Sequence, residues 1–280
     1  MTLVISPARA VDLRQRGEDD HAIVAHVNQG RSTGVSVASS PAATSTGAAS
    51  NAFTGDTYAF WTPDTTGVTS ATLTVTLSAA QSVDFAAIDA HNLGTYGATV
   101  SVEYSTDSGS NWTTIGAAQT LTENGGIGWY FVATSADMWR LNVTGFTAGD
   151  GIAVGVCFFG ACLTMDRPFY QGFTPPISVN QVDLLNNVSE GNHLLGNSVV
   201  RKGLRISAQI DRVSPYFIRG DAFQAFQDEF NNGTPFFFAW RPTRFPELRY
   251  CWRNGAAIAP SNSGPVDLMG FTMNMRAYDG

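Results

Sequence analysis

The chain has 280 residues, of which 44% are hydrophobic and only 14% charged, against roughly 25% charged in an average soluble domain. Net charge is −7, and Lys202 is the one lysine. These figures allow one large domain or two ordinary ones with a real core, and they exclude a coiled coil, a collagen and a basic nucleic-acid packaging protein. The polar surface must come from Ser, Thr, Asn, Gln and Gly, as in β-rich recognition and structural proteins.

Residues 1–30 read as an N-terminal leader or arm holding Arg14, Arg16, Glu18, Asp19 and Asp20. MTLVISPARAVDL lacks the charged and long apolar regions of a secretory signal. His21 and His26 are five apart, the wrong spacing for a metal-binding helix face, and read as surface histidines. Gly30 to Asn51, rich in Ser, Thr, Ala and Gly, suits a loop or weakly paired strands.

Residues 31–165 form the first expected domain. Ala71 to Leu77 alternates apolar residues with Thr, the pattern of a half-buried strand. Further short strands are predicted at Val83–Ala90, Thr99–Tyr104, Trp112–Ile115, Trp129–Ala133, Trp139–Val143 and Ile152–Phe159, with turn residues between them and no helix. That is the pattern of an antiparallel sandwich, with Trp61 and Trp112 in its core. Ala153 to Leu163 falls short of the ~20 residues of a membrane helix and reads as a buried strand. Cys157, Cys162 and Cys251 read as free thiols of a protein folded in a reducing cytoplasm.

Residues 166–202 read as a linker or extended wrap, on the prolines of Asp166 to Pro176. Residues 203–280 read as a small β-rich domain with one helix. In it, Asp221 to Asn231 places Phe223, Phe226 and Phe230 on one face, with Asp221 as N-cap and Gly233 as terminator. Strands are predicted at Gly203–Val213, Pro235–Trp240, Arg249–Trp252 and Leu268–Tyr278. Arg219-Gly220-Asp221 spells an adhesion tripeptide, but the helix cap explains it.

No nucleophile elbow, phosphate loop or calcium loop is present. Asp84, Asp89, Glu103, Asp107 and Asp150 are scattered, without the paired spacing that acid–base hydrolysis needs. The expectation is therefore no enzyme, no catalytic residue, no metal and no cofactor. Two constellations point to binding instead. The loop His91 to Gly97 offers His91 and Asn92 for sugar hydroxyls and Tyr96 for stacking, and Trp129 and Tyr130 offer a second aromatic loop. Each aromatic has packing as its alternative. Phe236, Phe237, Phe238, Trp240, Phe245, Tyr250 and Trp252 crowd into seventeen residues. Consecutive phenylalanines point to both faces of a strand. One face can meet the helix; the other needs a third layer or a neighbouring subunit, and a subunit contact is the expectation.

Four landmarks occur in order: Asn51-Ala52-Phe53-Thr54-Gly55-Asp56 followed by Trp61; the hairpin Val100 to Trp112, turning at Ser105 to Gly109; Trp139 to Gly145; and Cys157-Phe158-Phe159-Gly160. Together they resemble the galactose-binding-like, discoidin-type β-sandwich. Two departures are the Gly-Asp order at 55–56 and the missing cysteine pair of many secreted members. The helix followed by Gly233 to Trp240, Phe245-Pro246 and Tyr250-Cys251-Trp252 resembles the small β-rich domains of tailed-bacteriophage tail and baseplate proteins.

These resemblances imply a mainly β chain, a discoidin-like jelly-roll sandwich followed by a small β-rich domain carrying one helix. They imply a structural part of a phage virion, made in the bacterial host cytoplasm, whose partners are other virion proteins and copies of itself. Host-surface glycan is a further candidate partner, and neither nucleic acid nor membrane insertion is expected. The alternatives are a carbohydrate-binding recognition module and a capsid decoration protein.

Overall fold

The computed structural model describes residues 2–169, 173–175, 182–263 and 266–278. Its first half holds β1 (Thr2–Ile5), α1 (Pro7–Arg16), β2 (Ile23–Asn28), β3 (Ser36–Ser40), β4 (Ser70–His91), β5 (Thr99–Ser105), β6 (Thr113–Thr120), β7 (Ile127–Thr144) and β8 (Val154–Thr164). The second half holds β9 (Val182–Val188), β10 (Leu194–Lys202), β11 (Leu204–Val213), α2 (Pro215–Arg219), α3 (Asp221–Asn232), β12 (Phe236–Ala239), β13 (Arg249–Arg253), β14 (Ser261–Asn262) and β15 (Met269–Ala277). The chain is mainly β, as the sequence pattern requires.

Two long strands build the sandwich. The predicted strands 71–77 and 83–90 are the two ends of β4, whose pairing with β7 shifts register between Thr76 and Gln81. Such an irregularity lets one strand bend out of one sheet into the next. The first half of β4 alternates buried and half-buried positions, because its outer face is wet. The last nine residues, Val83–His91, are buried on both faces. β7 does the same in reverse, so β3-β4-β7-β5-β6 and β2-β8-β4-β7-β1 are layers sharing β4 and β7. Between them lie Trp61, Trp129, Trp139, Phe53, Phe131 and Phe159. Trp112 is not in this core: it is half-buried on the outer face, under the Arg140 guanidinium at 4.0 Å.

The first thirty residues are part of the fold rather than a leader. Ser6 caps α1 by accepting the Arg9 N–H at 3.3 Å, Pro7 opens the helix, and Gly17 closes it at φ 70°. Arg9 is buried against Asp84 (3.2 Å) and also donates to the Tyr130 hydroxyl. β2 is hydrogen-bonded to β8 on one side and to β12 on the other. Through it the sheet runs on into the C-terminal unit, in the order β11-β15-β13-β12-β2-β8-β4-β7-β5-β6. His26, expected at the surface, is buried on β2 with its ring centroid 5.4 Å from that of Phe226, and burial lowers its pKa to about 4.

This continuity settles what covers the phenylalanine strand. Phe236 and Phe238 pack with Phe223, Phe226 and Phe230 of α3. Phe237 points the other way, its ring 5.9 Å from Phe85, 5.7 Å from Phe158 and 4.9 Å from Tyr250. The face assigned to a neighbouring subunit is thus filled by the chain's own sandwich, and Phe236, Phe237, Phe238 and Tyr250 are all at most 2% exposed. That corrects the subunit-contact expectation for these four. Trp240, Phe245 and Trp252 are half-buried, Trp240 stacking on Phe245 at 5.1 Å.

α3 ends at Gly233 (φ 84°) as expected, but its N-cap is Gly220, and Asp221 is the first helical residue with no side-chain cap bond. The short α2 before it was not foreseen. In the expected linker, residues 170–172 and 176–181 lie outside the described residues, while β9 and β10 form a separate two-stranded ribbon. Cys157, Cys162 and Cys251 are free thiols.

Candidate functional site

The strand ends His91, Thr120, Thr144 and Val154 bring four connections to one end of the sandwich: 62–69, 92–98, 121–126 and 145–153. Polar side chains stitch these loops together. Asn92 donates to the Gly151 carbonyl (2.8 Å) and accepts from the Ala153 N–H (2.7 Å). Asn124 accepts from the Thr95 N–H (3.0 Å) and donates to the Thr95 hydroxyl (2.9 Å). Thr65 donates to the Asp150 carbonyl at 2.6 Å, and Asp150 accepts the Thr147 N–H at 2.7 Å. Gly94 lets two loops touch, since a Cβ there would sit 2.2 Å from the carbonyl carbon of Glu123.

Beside these stitches a cleft of about 300 Å³ opens, lined by Thr2, Gln119, Thr120, Leu121, Thr122, Glu123, Gly125, Gly126 and Ile127. Its wall is built by β6 running into the 121–126 turn and by β1 pairing in parallel with β7, where the Thr2 N–H meets the Gly126 carbonyl at 2.9 Å. Leu121 and Ile127 are buried beneath. The lining residues carry chemistry suited to a polyol: threonine hydroxyls, the Glu123 carboxylate, glycine backbone and the Gln119 amide, whose nitrogen also donates to the Ala117 carbonyl at 3.0 Å, while the Thr120 hydroxyl pairs with that of Thr99 at 2.8 Å. The volume is at the lower limit of small-molecule sites, with room for one sugar-sized ring. A second cleft of about 240 Å³ lies in the C-terminal unit between Gln209, Asp211, Ser261, Ser263 and Asn274, outside the sandwich.

Behind the cleft floor sit two buried titratable groups. The His91 Nε2–H donates to the Gly125 carbonyl (3.2 Å) while Nδ1 accepts the Leu93 N–H (3.3 Å); burial holds the ring neutral, its pKa lowered to about 4. Asp89 accepts the Ala90 N–H at 2.8 Å through Oδ1, and Oδ2 finds no partner of hydrogen-bonding geometry. Burial raises this carboxyl to about 7, against the opposing charge of Arg249. A Cβ on Gly126 would stand 2.5 Å from Asp89 Oδ2, so only glycine fits between the carboxyl and the cleft.

The five residues expected to contact sugar are placed differently from one another. His91 and Asn92 are at this end, but they hold loops together and do not line this cleft. Trp129 (1% exposed) and Tyr130 (0%) are core residues; Tyr130 faces α1. Both are corrections: β7 turns Trp129 into the core between the sheets and Tyr130 to the opposite side, against Phe85 and Arg9 of α1. Tyr96 is half-buried against the sandwich core, close to Gly151. The lining residues Gln119, Thr120, Thr122 and Glu123 were missed as a site. Their only sequence signal was Glu123 to Gly126, legible as a turn.

The scattered carboxylates are engaged structurally. Asp84 pairs with Arg9, and Glu103 with Arg140 at 2.5 Å while accepting from Asn142 and Ser101. Asp107 organises the β5–β6 turn; bonds from Ser105 and Asn111 lower its pKa to about 2. Among the described residues no group of three or more His, Cys, Asp or Glu could hold a metal ion.

The matched family model is the F5/8 type C domain, over residues 35–154. No curated protein matches the chain. Among solved structures, a chitosan-binding module 1 from a Paenibacillus sp. IK-5 chitosanase/glucanase is 23% identical, with 48% of this chain and 99% of that one covered at a TM-score of 0.41. CpGH89CBM32-6 from Clostridium perfringens is 18% identical, over 48% of this chain and 98% of the other, at 0.39. A Ruminococcus gnavus GH29 fucosidase is 16% identical at 0.42, over 49% of this chain; the match spans only 27% of the fucosidase. The chain is thus a mainly β protein whose residues 35–154 carry a discoidin-like sandwich matching the F5/8 type C domain.

Proposed function

We propose that this chain is a non-catalytic recognition protein whose discoidin-like sandwich holds a terminal sugar residue in the loop-end cleft. The observation that carries the reading is the cleft itself: about 300 Å³, lined by hydroxyls, an amide and a carboxylate, at the end where four loops converge. No aromatic residue lines it, so affinity rests on hydrogen bonds, and dissociation constants of about 0.1–1 mM are expected. Titrating neutral and amino sugars into the full chain by NMR or calorimetry tests this. Gln119→Ala and Glu123→Gln should each weaken binding about tenfold, the worth of one or two hydrogen bonds. Saturable binding that both variants leave untouched would sink the cleft as the site, and absence of binding across a glycan panel would sink the function.

An assembly role in a tailed-phage virion is the second reading. It rests on the resemblance of the C-terminal stretch and on one observation, the uncovered ribbon β9–β10.

A further inference from the structure

Among the described residues, β9 and β10 form a two-stranded sheet of their own, separate from the thirteen-stranded one. Their register sets Val199 opposite Leu184, Asn197 opposite Asn186 and Leu194 opposite Val188. On β9 a period of two puts Leu184, Asn186 and Val188 on one face, and on β10 the register shift between Leu194 and Gly196 brings Leu194 onto the face of Asn197 and Val199, so the face is aliphatic at both ends with an amide pair in the middle. The other face is mixed, with Leu185 opposite Ser198 and Asn187 opposite Gly196. Leu184 is 52% exposed, Val188 50%, Leu194 65% and Val199 54%, and none of these four belongs to any of the three cores. A two-stranded ribbon is marginal in water by itself and needs a layer against its apolar face.

We propose that this layer is the same ribbon of a second copy of the chain, packed apolar face to apolar face about a two-fold axis. Two features select a copy. The four aliphatic residues of the face present on the order of 400 Å², about half of the ~800 Å² per partner that a stable interface buries, which fits a dimer that dissociates on dilution. The six residues of the face carry no formal charge; the register runs on past Leu184 and Val199 to Val182 and Lys202, so the one lysine position lies at the edge and the middle, where like faces meet, is neutral. The Asn186–Asn197 pair is its own complement: an amide both donates and accepts, so two copies satisfy each other where a purely apolar partner would strand buried polar groups. A two-fold contact also closes on itself.

The test is sedimentation of the full chain from about 1 to 100 µM, a range spanning ordinary homodimer affinities. A dimer that dissociates on dilution is expected. Leu184→Asp and Leu194→Asp should each weaken it at least tenfold with an unchanged circular dichroism spectrum. Asn186→Cys should give a disulfide-linked dimer on mild oxidation, which the wild-type chain with its native thiols does not. A monomer throughout that range overturns the proposal, and so does a dimer indifferent to both aspartates. A ring larger than a dimer overturns the two-fold pairing.

Discussion

β12 and the β9–β10 ribbon both concentrate apolar residues on short strands, and they end up in opposite circumstances. β12 is hydrogen-bonded on both sides, by residues 23–25 from one end of the sequence and 249–251 from the other, and both its faces are covered. Among the described residues the ribbon pairs with no further strand, and Leu184, Val188, Leu194 and Val199 are exposed. Local composition does not separate the two, for the triple phenylalanine is the more conspicuous sequence. What separates them is whether distant segments return to cover the strand. An interface is found where covering fails, not where apolar residues are densest.

The sharpest way to break the comparison is at Phe237, the side chain that joins the C-terminal unit to the sandwich. Phe237→Ala should cost about 3–5 kcal/mol, because Phe85, Phe158 and Tyr250 cannot all collapse into the vacated space. Urea unfolding would show it as a lowered midpoint without a change in slope. A loss below about 1 kcal/mol would mean that the seam is loosely packed.

A smaller effect, and one that depends on pH, is expected at Asp89. Its folded pKa of about 7 lies above the unfolded carboxyl value near 3.9, so the fold favours the neutral acid. Its contribution is fully present below about pH 4 and is lost as pH rises through 7. His26 and His91, lowered to about 4 from an unfolded value near 6.5, act oppositely: they cost stability as pH falls from 6.5 to 4. Asp89→Asn should therefore stabilise the chain at pH 8 by a few kcal/mol, change little at pH 4, and steepen the loss of stability on acidification that the histidines cause. Arg249 acts at this carboxyl, and Tyr250, Cys251 and Tyr278 feel its charge. A variant less stable at pH 8 would show that Arg249 holds Asp89 charged.

These two sites also mark how far the sequence could be read. The strands were legible because alternation such as ATLTVTL reports one wet face, and α3 because its phenylalanines recur at helical spacing. α1 escaped although Ser6, Pro7 and Gly17 bracket it, since its buried face is Arg9 and Leu13 and an arginine does not register as core. β2 escaped for a related reason: six residues in a polar stretch give too short a pattern, and their burial comes from β8 and β12, far off in sequence. The loop end was legible as loops. Which of their side chains face solvent was not, because Asn92 and His91 are spent on neighbouring backbone, a fact set by tertiary contact.

The smallest effect expected is the one that completes the comparison. Leu184→Asp replaces an aliphatic side chain, as Phe237→Ala does, yet Leu184 touches no core, so the stability of the single chain should change by no more than about 0.5 kcal/mol. What should change is concentration dependence. If the ribbon pairs with its copy, the wild-type melting temperature rises with protein concentration, because association stabilises only the folded form. In Leu184→Asp that rise should vanish while the melting temperature in the dilute limit stays at the wild-type value. A variant that instead melts lower at every concentration would place Leu184 inside the fold of one chain, and the ribbon would then stand with β12 rather than against it.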